Sequence, residues 1–254
     1  MIPVRQYLLL ILQKASSDLV AEVRQGYLGI IWWVLEPVLY LSVFYFLFVI
    51  VFDRGGSDAV AFLLIGLVIW KWFGSSIPKC SNCISTNNGL IRQIYLPKLI
   101  LPVMTVVTAT IKFLIVFFLL LIFLLALGYE ANLTWFSLPL LVFVQFLFTL
   151  AVGSILAAII PFLPDLRVII DNAMMLLFFL SGIFFDFSSV SLEAQRLLHL
   201  NPMLGLIESY RSVLVSGVWP DWHIVGYILI MSVVFLIIGW YLLHRYDRVY
   251  PKIV

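Results

Sequence analysis

The chain has 254 residues, of which 64% are hydrophobic and 11% charged, with a mean hydropathy of +1.14 and a formal net charge of +2. An ordinary soluble domain carries roughly 25% charged residues, so the composition excludes a water-soluble fold, and the small net charge without blocks of like sign argues against a nucleic-acid partner. Lipid hydrates no backbone, so a spanning element is a helix or a closed barrel; long apolar runs without period-2 alternation indicate an all-α integral membrane protein.

In chain order, residues 1–13 hold Arg5 and a short apolar run but no small-residue cleavage site after it, so no cleaved signal peptide is expected. Residues 5–24 alternate Leu8, Leu9, Ile11, Leu12, Leu19 and Val20 with Gln13, Lys14, Asp18 and Glu22, which predicts an amphipathic interfacial helix. Six transmembrane helices are then expected near 30–52, 60–78, 101–127, 135–161, 168–187 and 224–243, in one membrane domain covering 1–254. The fifth is the weakest, because its unbroken core at 173–185 is as short as a re-entrant segment. Positive charge settles the count. With the N-terminus inside and six spans, Arg5, Lys14, Arg24, Lys79, Arg92, Lys98, Arg167, Arg245, Arg248 and Lys252 lie inside, and Arg54, Arg196 and Arg211 outside. Both termini are then cytoplasmic. The long connection 186–223 is the one sizeable external element, and within it Leu204, Ile207, Tyr210, Leu214 and Val218 recur at helical spacing, with Glu208 and Arg211 on another face. That pattern predicts short external helices between spans five and six, dipping into the outer leaflet.

Residues that could carry chemistry are few. The histidines sit at loop or span ends, and H-E-x-x-H, G-x-S-x-G and P-loop motifs are missing; Gly26-Tyr27-Leu28-Gly29 is too short and apolar to cradle phosphates. The chain reads as a non-enzyme with no catalytic residue, no metal and no cofactor of its own, so ATP, if it drives the protein, binds another chain. Cys80 and Cys83 form a lone C-x-x-C without further ligands and read as incidental helix-face residues. Lys71, between Trp70 and Trp72, suits a snorkelling lysine in an aromatic belt; Lys112 is deeper, and snorkelling and a polar pathway meeting anionic cargo are both open for it. Glu36 and Asp171 lie at span ends, which fits an ion-coupled carrier or intramembrane enzyme poorly. Many aromatics lie within spans: Tyr40, Phe44, Tyr45, Phe46, Phe48, Phe178, Phe179, Phe184 and Phe185. They serve either as packing or, for some, as a conduit wall on which the C–H faces of sugar rings stack; Tyr40, Phe44, Phe48, Lys112, Phe178 and Phe184 are the channel-lining candidates. On the cytoplasmic side, residues 87–95 before Leu96-Pro97, and Pro161-Phe162-Leu163-Pro164-Asp165-Leu166-Arg167, are either plain turns or knobs that dock a soluble partner.

Arg24-x-x-Tyr27-Leu28-Gly29-x-x-Trp32-x-x-Leu35-x-Pro37 resembles the signature of type-2 ABC exporter permeases for polysaccharides. Asn87-x-x-Leu90-Ile91 with Tyr95-Leu96-Pro97 and Pro102, Asn201-Pro202 with Tyr210-Arg211 and Gly217, and the six-span plan extend the resemblance over essentially the whole chain, nearest to the O-antigen branch. Capsule and teichoic-acid exporters are close relatives, and an exporter of a small hydrophobic substrate is the alternative. One departure is that Pro164 precedes Asp165 and the arginine arrives only at Arg167, where such permeases often carry an Arg-Asp pair. The resemblance implies a homodimer in the cell inner membrane, bound to two copies of an ATPase that carries ATP and Mg, with a channel for undecaprenyl-pyrophosphate-linked polysaccharide between the permeases. It implies substrate loading at Arg24, Tyr27, Leu28, Gly29 and Trp32, ATPase coupling at Asn88, Leu90, Arg92, Tyr95, Asp165 and Arg167, and an external gate at Asn201, Pro202, Tyr210 and Arg211. For Arg24, contact with the pyrophosphate and positive-inside anchoring are equal alternatives.

Overall fold

The structure is a computed structural model and describes residues 4–25, 29, 31–46, 50, 59–93, 96–185, 193, 198 and 200–253. Regular structure among these residues is helical. In chain order it comprises α1 (Val4–Gln25), α2 (Ile31–Tyr45), α3 (Ala59–Thr86), α4 (Asn88–Gln93), α5 (Ile100–Ala126), a 3-10 turn (Leu133–Ser137), α6 (Leu138–Ile159), α7 (Leu166–Leu180), α8 (Pro202–Leu214), α9 (Trp222–Arg245) and α10 (Tyr250–Ile253).

Four stretches among the described residues are long and apolar enough to cross a bilayer: Ala59–Thr86, Ile100–Ala126, Leu133–Ile159 and Trp222–Arg245. They coincide with the expected second, third, fourth and sixth spans. The first expected span is described as helix over Ile31–Tyr45, and the fifth as Leu166–Leu180, which is 15 residues long. Helix α3 outruns its expected end at 78, continuing through Pro78 to Thr86, because its last turns bury Cys80, Cys83 and Ile84. Cys80 and Cys83 are free and packed in the interior; Cys80 lies against Pro102 O at 3.9 Å.

Helix α3 is the hub. In its most apolar window 72% is buried, against 22% for α5 and for α9, so α3 is enclosed by α2, α5, α6, α7 and α8 while α5 and α9 present one apolar face outward. Leu114, Ile115, Phe118 and Ile122 on α5 and Ile230, Val233, Val234 and Ile237 on α9 form that outward surface, which suits lipid tails. Helices α6 and α9 form the most extensive pair. A Cβ on Gly239 would stand 2.8 Å from Ser154 Cβ and 3.2 Å from Ile155 N, so the small residue sets how closely the two backbones pack.

The connection between α7 and α9 contains the expected helix, α8, but its stripe points elsewhere. Leu204, Ile207, Tyr210 and Leu214 are buried against the rest of the chain, and Arg211, expected on a polar face, is only 4% exposed. Polar anchors explain why α8 is drawn inward. Asn201 caps it, its Oδ1 accepting from Met203 N while its Nδ2 donates to Leu180 O and Ser181 Oγ, which pins the helix to the end of α7. Arg211 donates to Phe62 O, Gly182 O and Ile183 O, pairs with Glu208 at 3.0 Å, and lies over the Phe62 ring at 3.3 Å. One guanidinium therefore joins α8, α3 and the turn after α7.

Removing that fork strands several buried carbonyls, each costing roughly 1–3 kcal/mol unsatisfied. Arg211→Ala is expected to lower the thermal unfolding midpoint of the detergent-purified protein sharply. Gly66→Ala should do the same more mildly, since its Cβ would meet Arg211 Nη2 at 2.8 Å. An unchanged midpoint in both would remove Arg211 from its place as the organising contact.

Candidate functional site

Two concavities flank α2, and both reach Lys71. The first, about 350 Å3, lies between α1, α2, α3 and α5 and is lined by Asp18 and Glu22, Trp33 and Glu36, Lys71, Ser75 and Lys79, and Thr105, Thr108 and Lys112. Helical periodicity produces this lining: Asp18 and Glu22, then Lys71, Ser75 and Lys79, then Thr108 and Lys112 are each four apart, so each set stands on one face of its helix. Three ion pairs cross or border the space. Lys71 bonds Glu36 of α2, Lys112 bonds Glu22 of α1, and Lys14 bonds Asp18 within α1 at 2.6 Å. Lys112 also stands 5.4 Å from the centre of the Trp33 ring.

A lone ammonium at bilayer depth is expensive, roughly 2.5–3.5 kcal/mol on insertion scales, and pairing is how such a cost is met. Lys112, for which snorkelling and a polar pathway were both open, lines this polar cavity near the middle of α5 and is met there by a carboxylate from α1. Helix α1 packs along α5 while Tyr7, Leu10 and Ile11 lie against the cluster of Ile84, Leu101 and Met104, so its amphipathic face is seated on the helical bundle.

The second concavity, about 440 Å3, lies between α2, α3 and α7 and is lined by Tyr40, Trp70, Lys71, Met174, Phe178 and Phe179, among others. Phe178 packs edge-on against both Phe179 and Phe184 at 5.2 and 5.1 Å, and at 6.0 Å from Trp70. Tyr40 and Phe178 thus line one aromatic wall, Phe184 packs against Phe178 without lining the space, and Lys112 lines the other concavity. Phe48 and the side chain of Phe44 lie outside the described residues.

Of the expected loading residues, Arg24 is exposed near the end of α1 and Trp32 is exposed on the first turn of α2. Gly29 sits between them at φ +51°, accepting from Trp32 N at 3.3 Å; a Cβ there would be strained and would approach Val23 Cγ1 at 3.3 Å. Tyr27 and Leu28 fall outside the described residues. The three described residues accordingly share the α1–α2 connection.

The expected coupling segments converge on a second core. Ile84, Ile91, Leu96, Leu101, Ala158, Leu243 and Tyr250 pack together, joining α3, α4, the start of α5, the end of α6 and the C-terminal segment. Arg167 Nη2 donates to Ser85 Oγ at 2.9 Å, which ties the 161–167 connection to the end of α3, while Asp165 and Arg92 are exposed. Asn88 lies on α4; Tyr95 and the side chain of Leu90 lie outside the described residues. The C-terminal residues seal this end: Lys98, 3% exposed, faces Asp247 at 3.6 Å, and Tyr250 donates to Ala158 O at 3.1 Å. Burial, with Asp247 beside it, pushes the Tyr250 phenol above its ordinary range, so it stays a donor through neutral and alkaline pH. Of the expected gate residues, Asn201 and Pro202 start α8, and Tyr210 and Arg211 are buried within its contacts.

Sequence reasoning singled out Lys71 and Lys112 but missed their partners Glu36 and Glu22, and the lining residues Asp18 and Lys79. The four-residue spacing of acids on α1 and of polar residues on α3 signalled the lining faces, though not which charges pair across them.

Comparison with known proteins places the chain among membrane transporters. The family described as "ABC-2 type transporter" matches residues 13–215. An "O-antigen export system permease protein RfbA" of Myxococcus xanthus is 31% identical over 218 residues, covering 85% of this chain and 84% of that protein. Two proteins of the same name from Klebsiella pneumoniae are 24% identical over 203 residues and 22% identical over 225, covering 80% and 88% of this chain and 78% and 86% of their own lengths.

The Lys71–Glu36 contact is testable by a double-mutant cycle on thermal stability with Lys71→Gln, Glu36→Gln and both together. Partly exposed pairs couple weakly, and about 1 kcal/mol is expected, with the double variant less destabilised than the sum of the singles. Strict additivity would mean that the two side chains do not interact.

Proposed function

Because the chain belongs to the ABC-2 type transporter family, we propose that it is the permease subunit of an ATP-driven exporter moving undecaprenyl-pyrophosphate-linked O-antigen polysaccharide from cytoplasm to periplasm. The observation that carries this reading is the similarity to O-antigen export permeases over at least 78% of both chains in every pair compared. In this reading the protein is a six-span, multi-pass protein of the inner membrane with both termini cytoplasmic. It acts as a homodimer with two ATPase subunits that hold ATP and Mg.

Each described feature has a place in that cycle. Lipid-linked glycan enters at the α1–α2 connection, near Arg24, Gly29 and Trp32, with Gly29 in the left-handed conformation. A guanidinium fork at Arg24 suits the pyrophosphate oxygens. The glycan then passes along the aromatic wall of Tyr40, Trp70 and Phe178, with Phe184 packed against Phe178, which offers flat apolar faces to sugar rings and few fixed hydrogen bonds to hold a moving chain.

Coupling follows from the second core. Helix α4 and the 161–167 connection meet through the end of α3, so a push by an ATPase on either exposed segment, at Arg92 or Asp165, reaches the hub helix. The exit is controlled at Asn201, Pro202, Tyr210 and Arg211, where α8 is fastened to the end of α7 and the start of the described α3. This chain supplies path and gate; hydrolysis belongs to its partner.

Deletion of the gene is expected to leave O-antigen on the cytoplasmic side, with surface display restored by the intact protein co-expressed with its ATPase. Leu28→Ala combined with Gly29→Ala should preserve assembly with the ATPase yet abolish display. Unchanged surface polysaccharide in the deletion strain would refute glycan export.

A further inference from the structure

We propose that the cavity between α1, α2, α3 and α5 binds the phosphodiester headgroup of an anionic phospholipid drawn from the surrounding bilayer. This site is distinct from the aromatic wall and does not depend on what cargo the protein moves.

The charge inventory points to such a ligand. Around the cavity Lys14 is matched by Asp18, Lys71 by Glu36 and Lys112 by Glu22, whereas Lys79 lines the same space and makes no ion pair among the described residues. One cation is left over. A phosphodiester carries one negative charge and so balances the site without disturbing any of the three pairs, which a dianion would overcompensate. Zwitterionic lipid brings its own cation and gains no such balance.

Donor chemistry agrees. Thr105 donates to Leu101 O, Thr108 to Met104 O and Ser75 to Trp72 O, so those hydroxyl protons already serve the helices. The donors left for a ligand are ammonium groups, each with three N–H bonds, which suits phosphate oxygens. The apolar side of the cavity, Val68, Phe113 and Val116, receives the start of the lipid chains, and 350 Å3 lies within the range that holds a small ligand group.

The carboxylates on α1 and α2 act as internal competitors. Glu22 is more displaceable than Glu36, since its side chain is 43% exposed against 28%. Neutralising Glu22 therefore strengthens the site, and neutralising Lys79 weakens it.

The test is native mass spectrometry of the full-length protein, delipidated and then titrated with phosphatidylglycerol or phosphatidylcholine in detergent. Phosphatidylglycerol should be retained over phosphatidylcholine, retention should fall roughly fivefold in Lys79→Gln and return in Lys79→Arg, as expected for one lysine at a lipid phosphate. Glu22→Gln should raise retention, a gain that misfolding cannot produce. Equal retention of the two lipids, or no loss in Lys79→Gln, overturns the proposal. Displacement of phosphatidylglycerol by millimolar inorganic phosphate overturns the lipid assignment and leaves a free-anion site.

Discussion

A positive charge inside an apolar bundle must be met by the protein itself, and the packing of this chain is arranged around that requirement. Arg211 is the most demanding case. Its planar fork reaches carbonyls on α3 and on the turn after α7 at once, and a turn is available to it only because Gly182 adopts φ +70° and leaves that backbone exposed to the guanidinium. Gly66 on the facing turn of α3 has no side chain to obstruct it. A helix that sequence periodicity assigns to the membrane surface is thereby held within the fold.

The same requirement accounts for the asymmetry of the helices. Helix α3 carries Lys71, which Glu36 of α2 meets, the polar face through Ser75 and Lys79, and the acceptor at Ile69 O for the buried Gln145, so neighbouring helices enclose it. Helices α5 and α9 have long stretches with nothing to satisfy and are left to face lipid. Burial here follows polarity more closely than hydropathy: the least hydropathic of the four long helices, at 1.8 against 2.8 for α5, is the most buried.

That inversion explains what the sequence made legible. Apolar length located the four long helices within about two residues at every end but that of α3, which runs on to Thr86, because a continuous hydrocarbon-length run has few alternative readings. Of the Tyr27-Leu28-Gly29 motif, Gly29 takes the left-handed conformation that favours glycine. The orientation of α8 was not legible: a stripe of Leu204, Ile207, Tyr210 and Leu214 faces lipid or protein with the same periodicity, and only the long-range bonds of Asn201 and Arg211 decide between them. The pairings across the ionic cavity were hidden for a related reason. Glu22 and Lys112 are 90 positions apart, and the pairing of two isolated charges on separate helices leaves no local pattern.

Lys71 is where these considerations meet, since it borders both the ionic cavity and the aromatic groove. Helix α2 stands between the two spaces, with Glu36 turned toward Lys71 and Tyr40, four residues later, lining the groove. A displacement of α2 that widens the groove at Tyr40 must therefore work against the Glu36–Lys71 pair, which lines the cavity on the other side of the helix. Replacing the pair by packed apolar side chains would be no worse for stability alone. Its value in a transporter is that an ion pair has two arrangements, closed or exchanged for another anion, whereas packed apolar surface has only one.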